Sequence, residues 1–338
     1  MKSFVLPPLS ILYDAVTRTR LSLYRRGTFH TTKLDRPVIS IGNITTGGTG
    51  KTPLVEWVAR TVAAHGKKVC ILTRGYGRKN PHLQVIVSDG YGVLASPAEA
   101  GDEPYLLATK LTGQAAVISS ADRIAAAEEA IKDFGTECFV LDDGFQHLRL
   151  ARDLNVVTID ATNPWGGGRL LPHGRLREAP EGLSRADCVV ITRCDQADGV
   201  EELQAEIARL IGGRPIFRSQ MQPVRVVPLK NGSEVPAAPA SVATFCAVGN
   251  PSSFFENVRR LGFEIGLQRS FPDHHVYSQA EIDSLIRDAG ASSLITTAKD
   301  AVKLRTLSFS VPCYVMEIEI VIENEDEFTR LVVESVQR

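Results

Sequence analysis

Short apolar runs alternate along the chain with segments whose apolar residues recur at helical spacing. After a strand-like run at Val38–Ile41, the residues Leu54, Val55, Val58 and Val62 repeat as on one face of a helix. This alternation predicts an α/β fold, a mostly parallel sheet with helices on both faces. The predicted strands are Val38–Ile41, Val69–Thr73, Ala115–Ile118, Cys138–Leu141, Leu154–Ile159 and Cys188–Thr192, and the predicted helices span residues 52–65, 102–112, 121–134 and 199–211.

A Pro- and Val-rich stretch over residues 216–240 interrupts the alternation and predicts an extended connection or a pair of strands. The alternation then resumes on a smaller scale. We therefore predict a first domain over residues 37–215 and a smaller α/β domain over residues 241–338. The second domain is predicted to contain strands at Val242–Val248, Ser293–Thr297 and Cys313–Ile318 and helices at Ser252–Leu261 and Gln279–Ala289.

Composition narrows the class of protein. The chain has 338 residues, of which 43% are hydrophobic and 23% charged, enough to bury the cores of two domains. Its net charge of -1 argues against a nucleic-acid partner, because general nucleic-acid binders carry a basic excess. The six cysteines form no C-x-x-C pair, so we expect reduced, mostly buried thiols of a cytoplasmic protein and no zinc site. No apolar run reaches the roughly 18 residues of a membrane span.

The N-terminal segment is unusually basic. Residues 1–36 contain seven basic and two acidic residues, interleaved with Leu, Ile, Phe and Tyr. This pattern predicts a basic amphipathic helix from Leu9 to Arg26. Such a helix either lies on an anionic membrane surface or packs on the protein with a solvated basic face.

The clearest motif is the glycine-rich segment Gly42–Thr52, which lies between a predicted strand and a predicted helix. This order is typical of a phosphate-binding loop, in which backbone N–H groups and the helix N-terminus bind a polyphosphate. Lys51 can reach the β- and γ-phosphates, and the Thr52 hydroxyl can ligate Mg²⁺. Thr45 stands where such loops usually have their first glycine. The candidate nucleotide-binding residues are Thr45, Thr46, Gly47, Gly48, Thr49, Gly50, Lys51 and Thr52.

Acidic residues follow or begin other predicted elements. Asp142 and Asp143 end a buried strand, where a phosphate-loop enzyme places its second Mg²⁺ contact, although they could simply cap the turn before Gly144. His147 follows closely. Asp102 begins a predicted helix and is either an ordinary N-cap or a proton acceptor facing the ligand crevice.

Two arginine-containing loops and one histidine pair complete the candidates. Glycine-flanked arginines suit an anion-binding loop, although a solvated basic loop has the same composition. They occur in residues 74–78 and in residues 166–178. His274 and His275 follow Asp273, but no third ligand at metal-binding spacing accompanies them. A histidine that orients a carboxylate and a purely structural residue are the remaining interpretations.

Eight motifs, in order along the chain, resemble those of the tetraacyldisaccharide 4'-kinases, the lipid A 4'-kinases of Gram-negative bacteria. They are PLSILY at Pro8–Tyr13, GNITTGGTGKTP, TRGYGR, GDEP, LDDGFQH, GRLLPHGRLRE, FPDHHVY and TTAKDAVKL. The resemblance spans nearly the whole chain. It implies a P-loop NTPase-like domain and a smaller domain that closes the active-site cleft.

The implied reaction transfers the γ-phosphate of ATP, with Mg²⁺, to the 4'-hydroxyl of a tetraacyldisaccharide 1-phosphate in lipid A biosynthesis. The implied location is the cytoplasmic face of the bacterial inner membrane, reached peripherally through residues 1–36, with no obligate protein partner evident. Asp102, supported by His274, is the implied base, with Lys51 and His147 near the reacting groups and Thr52, Asp142 and Asp143 at the metal. The implied substrate-binding residues are Arg74, Arg78, Arg123, Arg169, Arg175 and Arg177.

Two other functions are compatible with the phosphate loop. The first is a GTPase of the metallochaperone or accessory type, because Ile191–Asp195 resembles the base-reading motif of those proteins, with arginine in place of lysine. The second is a membrane-binding ATPase module without a lipid acceptor. This second function leaves the arginine loops and the FPDHHVY motif unexplained.

Overall fold

The computed structural model describes residues 6–230, 241–290 and 293–337. Residues 1–5 of the predicted basic segment and residues 231–240 of the predicted connection lie outside these ranges. The strands are β1 Val38–Gly42, β2 Val69–Thr73, β3 Val85–Ser88, β4 Ala115–Ser119, β5 Cys138–Asp142, β6 Leu154–Asp160, β7 Cys188–Thr192, β8 Ile216–Pro228, β9 Ser241–Cys246, β10 Glu264–Ser270, β11 Leu294–Thr297 and β12 Cys313–Ile322.

The α-helices alternate with these strands as the sequence predicts. Two short 3₁₀ helices also occur, at Pro180–Arg185 and Cys194–Gln196. The α-helices are α1 Leu6–Arg25, α2 Lys51–Ala64, α3 Pro97–Ala100, α4 Asp102–Lys110, α5 Arg123–Phe134, α6 Val200–Ile211, α7 Pro251–Arg260, α8 Gln279–Ala289, α9 Ala298–Leu304 and α10 Glu325–Ser335.

The described strands form one twelve-stranded sheet in the order β10-β9-β11-β12-β8-β7-β6-β1-β5-β2-β4-β3. Neighbours pair in parallel except β3 with β4 and β8 with β12. The predicted α/β fold with a mostly parallel sheet is therefore confirmed. β1 lies between β5 and β6 in the middle of the N-terminal strands, so its carboxyl end opens into a crevice flanked by neighbouring strand ends.

The long strand β8 joins the N-terminal part of the sheet, β1 to β7, to the C-terminal part, β9 to β12. Its first residues pair with β7, as Ile216 does with Val189, and it pairs with β12 from Ser219 to Pro228. The stretch predicted as a connection is therefore, up to Pro228, a strand of the sheet. The division into residues 37–215 and 241–338 stays a prediction.

The apolar residues that recur at helical spacing after β1 form the buried face of α2. α2 buries Leu54, Val55, Val58 and Val62 against the sheet. Burial of such side chains contributes about 1.5–3 kcal/mol each. This packing fixes α2, and with it the segment that precedes it, at the end of β1.

Candidate active site

A large cavity lies at the carboxyl ends of β1, β2 and β5. Its volume is about 750 Å³. Ligands of open α/β sheets bind at such a crevice. Its walls come from both parts of the chain: Thr46–Thr52, Arg74, Asp142, Asp143 and His147 from the N-terminal part, and Gly249, Asn250, Phe254, His274 and Lys299 from the C-terminal part.

The phosphate loop, residues Gly42–Thr52, leads from β1 into α2. Gly50 caps α2 with a φ of 79°, a left-handed conformation that favours glycine. α2 begins at Lys51, so its free N–H groups point into the cavity region beside the loop. The Lys51 ammonium lies 3.4 Å from Asp143 Oδ1.

Residues 175–177 of the second arginine loop hold the phosphate loop from the side. The Thr46 N–H donates to the Arg175 carbonyl at 2.7 Å, and the Arg177 N–H donates to the Ile44 carbonyl at 2.7 Å. Thr45 is thus part of a short antiparallel bridge. Because strand-like pairing needs no positive φ, this support is compatible with threonine where a glycine is usual.

Asp143 is clamped between two cations. Arg177 Nη1 donates to both of its carboxylate oxygens at 2.7 Å. Burial opposes ionisation, but the charges of Lys51 and Arg177 outweigh it and lower the pKa of Asp143 to about 2. Its φ of 55° lies in the left-handed region, which is uncommon for residues other than glycine.

Asp142 differs from its neighbour in environment. It is the last residue of β5, it is buried, and it accepts a hydrogen bond from Thr73 Oγ1 at 3.0 Å. Burial and the nearby Glu103 and Asp143 charges raise its pKa. The pKa values of the two adjacent carboxylates are therefore shifted in opposite directions, and a cation held by these residues would favour the ionised form of both.

The structure brings together Asp102 and His274, which are 172 positions apart in the sequence. His274 Nδ1 lies 3.4 Å from Asp102 Oδ2, and His274 lines the cavity. Asp102 is the first residue of α4 and makes no capping hydrogen bond, since Gly101 occupies the N-cap position. The N-cap interpretation of Asp102 is therefore wrong. His274 has a φ of 62°, a second non-glycine residue of the site in the left-handed region.

Lys299 of α9 fixes the orientation of the His274 ring. Its ammonium donates to Glu103 Oε1 at 2.8 Å and to Asp273 Oδ1 at 3.0 Å, and it lies 3.5 Å from His274 Nε2. Because an ammonium only donates, this contact favours the tautomer that carries its proton on Nδ1, directed at Asp102. Sequence reasoning assigned no role to Lys299, although it lies in the TTAKDAVKL motif.

The six candidate arginines separate into two groups. Arg74, Arg123 and Arg177 line the large cavity, and Arg20 of α1 joins them there. Arg123 is 4% exposed and donates to the Asp142 carbonyl at 3.3 Å.

The other three candidates lie elsewhere. Arg78 is buried and donates to the Ser119 and Pro81 carbonyls, so it holds its own loop and its placement gives no support to a substrate role. Arg169 contacts His173 at 2.8 Å. Arg175 lines a separate cavity of about 330 Å³ beside the phosphate loop.

His147 lies in the large cavity among arginines. Burial and the charges of Arg123 and Arg152 lower its pKa to about 3, so the ring is neutral at physiological pH. Its Nε2 is buried and has no hydrogen-bond partner among the residues that the structure describes. It can therefore exchange a hydrogen bond with a ligand but does not add charge.

The Ile191–Asp195 segment is engaged in ion pairs. Arg193 Nη1 lies 2.5 Å from Asp160 Oδ2, and Asp195 is paired with Arg260. A base-reading aspartate must present its carboxylate to the guanine ring. The Asp195 carboxylate instead contacts a guanidinium, which weakens the GTPase interpretation.

In residues 6–230, 241–290 and 293–337, no group of three or more His, Cys, Asp or Glu side chains is arranged to hold a metal ion. Within the same ranges, none of the helices has both the length and the apolar character needed to cross a membrane.

The chain is similar to known proteins along most of its length. Residues 2–337 match the family model described as LpxK, tetraacyldisaccharide-1-P 4'-kinase. A tetraacyldisaccharide 4'-kinase of Geobacter metallireducens is 44% identical over 306 residues, covering 89% of this chain and 88% of that protein. One of Anaeromyxobacter dehalogenans is 42% identical over 300 residues, covering 86% of this chain and 79% of that protein.

A solved structure is similar over the full length. The structure of LpxK from Aquifex aeolicus in complex with ATP has a TM-score of 0.77 and 32% identity, covering 99% of this chain and 100% of that one. The phosphate loop, the paired carboxylates and the Asp102–His274 contact thus occur in a chain that matches one family from end to end. The chain belongs to the tetraacyldisaccharide-1-P 4'-kinase family.

Proposed function

We propose that this protein transfers the γ-phosphate of ATP to the 4'-hydroxyl of a tetraacyldisaccharide 1-phosphate, a step of lipid A biosynthesis. The observation that carries the proposal is the placement of the phosphate loop, with Lys51, and of His274, which contacts Asp102, around one cavity. Phosphoryl transfer needs alignment, neutralisation of charge and a base near the attacking hydroxyl. The cavity, together with the Asp102 carboxylate that contacts its wall through His274, provides groups for all three.

Asp102 is the proton acceptor in this proposal. Burial alone would raise its pKa, but the His274 hydrogen bond and the charges of Lys303 and Lys299 outweigh burial and lower it. The carboxylate is therefore ionised at physiological pH and can accept the proton of the acceptor hydroxyl. His274 donates to Asp102 through Nδ1 and so orients it.

The residues around Asp143 fit Mg²⁺. The Thr52 hydroxyl and the carboxylates of Asp142 and Asp143 are oxygen donors, which Mg²⁺ prefers, and Mg²⁺ is usually held by one or two carboxylates together with substrate phosphates and water. When bound, the ion would neutralise phosphate charge. Arg177 and Lys51 hold Asp143 in its orientation.

The remaining walls of the cavity suit the two substrates. Met221, Val248, Phe254 and Met316 form an apolar side that fits an adenine ring. Arg74, Arg123 and Arg177 provide guanidinium groups for the anionic disaccharide phosphate. These assignments follow from residue chemistry and position.

The direct test is transfer of radiolabel from γ-labelled ATP to purified tetraacyldisaccharide 1-phosphate. We expect a labelled lipid product, and we expect unlabelled ATP to compete more strongly than GTP. Hydrolysis of ATP that is indifferent to the lipid would favour the ATPase module. Stronger competition by GTP would favour the GTPase.

One prediction concerns the contact between the phosphate loop and the C-terminal part of the sheet. A Cβ atom on Gly249 would collide with the backbone of Gly48, so Gly249→Ala should displace the phosphate loop. Overpacking of this kind costs about 1–3 kcal/mol, and we expect ATP affinity to fall by about tenfold or more. Calorimetric titration with ATP measures it. Gly92→Ala is the matched control, because a Cβ there meets no atom within 4 Å; equal affinities of the two variants would contradict the prediction.

We further propose that α1 attaches the protein to the cytoplasmic face of the inner membrane. α1 is 20 residues long and has no buried residue, and Leu9, Leu12 and Val16, spaced as on one helix face, are 43%, 60% and 59% exposed. Tyr13 and Arg20 of the same helix line the cavity. A lipid substrate could therefore reach the cavity from the surface on which α1 lies.

The membrane proposal predicts a specific loss. The triple variant Leu9→Ser, Leu12→Ser and Val16→Ser should float poorly with anionic vesicles at high salt, because salt screens the basic residues but leaves apolar contact intact. The matched control is Leu83→Ser, Tyr91→Ser and Leu94→Ser, three exposed apolar residues outside α1. If the α1 variant floats as well as the control at every salt concentration, α1 is not the attachment.

A further inference from the structure

Lys303 of α9 has an ammonium group buried between two carboxylates. Its Nζ lies 3.4 Å from Asp102 Oδ2 and 3.5 Å from Asp300 Oδ1, and its side chain is 8% exposed. Among the residues that the structure describes, Nζ has no partner at hydrogen-bonding geometry. Burying an ammonium is costly unless its charge is compensated, so these two carboxylates must account for its position.

The C-terminal part of the sheet holds Lys303 through Asp300. Asp300 is fully buried and accepts hydrogen bonds from the Ala247 N–H at 3.0 Å, from Thr297 Oγ1 at 2.7 Å and from Tyr277 OH at 3.0 Å. The Lys303 ammonium also lies 5.6 Å from the centre of the Tyr277 ring. Lys303 is therefore anchored to a buried hydrogen-bonded network, which reaches the cavity wall at Thr297.

The two contacts to Asp102 fall on the same oxygen. His274 Nδ1 and Lys303 Nζ both approach Oδ2, each at 3.4 Å. In the described part of the chain, Oδ1 accepts no hydrogen bond, whereas Oδ2 contacts His274. The arrangement holds one carboxylate oxygen from two sides and leaves Oδ1 available to an incoming hydroxyl.

We propose that Lys303 is a positioning residue of the phosphoryl transfer, which together with His274 directs Asp102 Oδ1 at the acceptor hydroxyl. The inference rests on the proposed role of Asp102 as the base. Asp102 begins α4 in the N-terminal part, whereas Lys303 and His274 come from the C-terminal part. The base is thus oriented only where α9 is docked against α4.

The test is Lys303→Met, which keeps the length of the side chain and removes the charge. We expect kcat to fall on the order of 10–10²-fold with the KM for ATP unchanged, because misorientation of a reacting group costs rate rather than nucleotide binding. In an Asp102→Asn background the same substitution should cause no further loss. Lys230→Met is the control, since Lys230 is exposed and donates to the Leu307 carbonyl after α9, away from Asp102.

The pH profile provides a second readout. Loss of the cation beside Asp102 raises the pKa of the Asp102 carboxyl. The acidic limb of the pH profile of kcat should therefore move to higher pH in Lys303→Met. A residue that serves only the fold would leave that limb in place. The charged and titratable groups facing Asp102 are His274 and Asp273, then Lys299, Asp300 and Lys303 of α9, and Glu103 on its own helix.

Three outcomes would overturn the inference: an unchanged kcat, an equal loss in the Asp102→Asn background, or loss of ATP binding together with kcat. The last would make Lys303 a structural residue. An Asp102→Asn variant that retains wild-type kcat would instead reject the base assigned above. A wild-type protein without lipid phosphorylation would reject the proposed function itself.

Discussion

Replacing Lys51 by alanine should lower kcat for phosphoryl transfer by about 10²–10³-fold, the usual cost of removing one electrostatic contact to a transition state. Lys51 is the first residue of α2 and lines the cavity beside Thr52 and the two aspartates. Charge that develops on the transferred group would lose the ammonium supplied by the phosphate loop. Single-turnover transfer from γ-labelled ATP measures the loss.

The control for Lys51→Ala is Lys132→Ala, on the exposed face of α5. Both variants should unfold near the wild-type temperature, because Asp143 keeps its two hydrogen bonds to Arg177 when Lys51 is removed. Turnover of Lys51→Ala within a few-fold of wild type would contradict the assignment of residues Gly42–Thr52 as the phosphate-binding loop.

The N-terminal elements were predictable because buried parallel strands are nearly continuous apolar runs. β1, β2 and β5 are buried along their whole length, and their predicted boundaries differ from the structure by at most one residue. Edge strands lack such continuous apolar runs and are therefore harder to predict from sequence. β3 and β10 were missed, because half or more of their residues are only partly buried or exposed.

The strand β8 was difficult to predict for a different reason. Its prolines, Pro223 and Pro228, are typical of linkers, since proline cannot donate to a strand ladder. The sheet accommodates Pro223 opposite Ile318, where the register with β12 shifts between Glu317 and Ile318. This bulge allows β8, whose sequence resembles a linker, to be the strand that joins the two parts of the sheet. No local sequence pattern predicts the bulge.

The candidate site was predictable where its residues share a motif and unpredictable where they meet across the chain. The phosphate loop and the aspartate pair each lie at the carboxyl end of a strand, so the sequence predicted that they meet at the same edge of the sheet. The seven residues of α9 are too few for helical periodicity, so neither the helix nor its lysines were predicted. α10 was also missed, although Phe328 and Val332 have the spacing of a buried helix face.

The contact between Asp102 and His274 predicts non-additive losses. Asp102→Ala and His274→Ala should each lower kcat, and the double variant should be little worse than the poorer single one, because residues that act as a unit cannot be lost twice. Proton acceptance by a positioned side chain typically contributes about 10²–10⁴-fold, which sets the loss expected for Asp102→Ala. The measurement is kcat for lipid phosphorylation by all four proteins at saturating ATP.

The neighbouring histidine of the same motif provides the matched control for this cycle. His275 stacks on Phe271 and contacts Glu281 Oε1 at 3.0 Å, away from Asp102. Its replacement by alanine should combine multiplicatively with Asp102→Ala, since the two side chains do not touch. If His274→Ala also combines multiplicatively, His274 acts independently of Asp102, and the hydrogen bond between them has no part in accepting the proton. Non-additivity confined to His274 would show that the C-terminal part of the sheet completes a base that begins on α4.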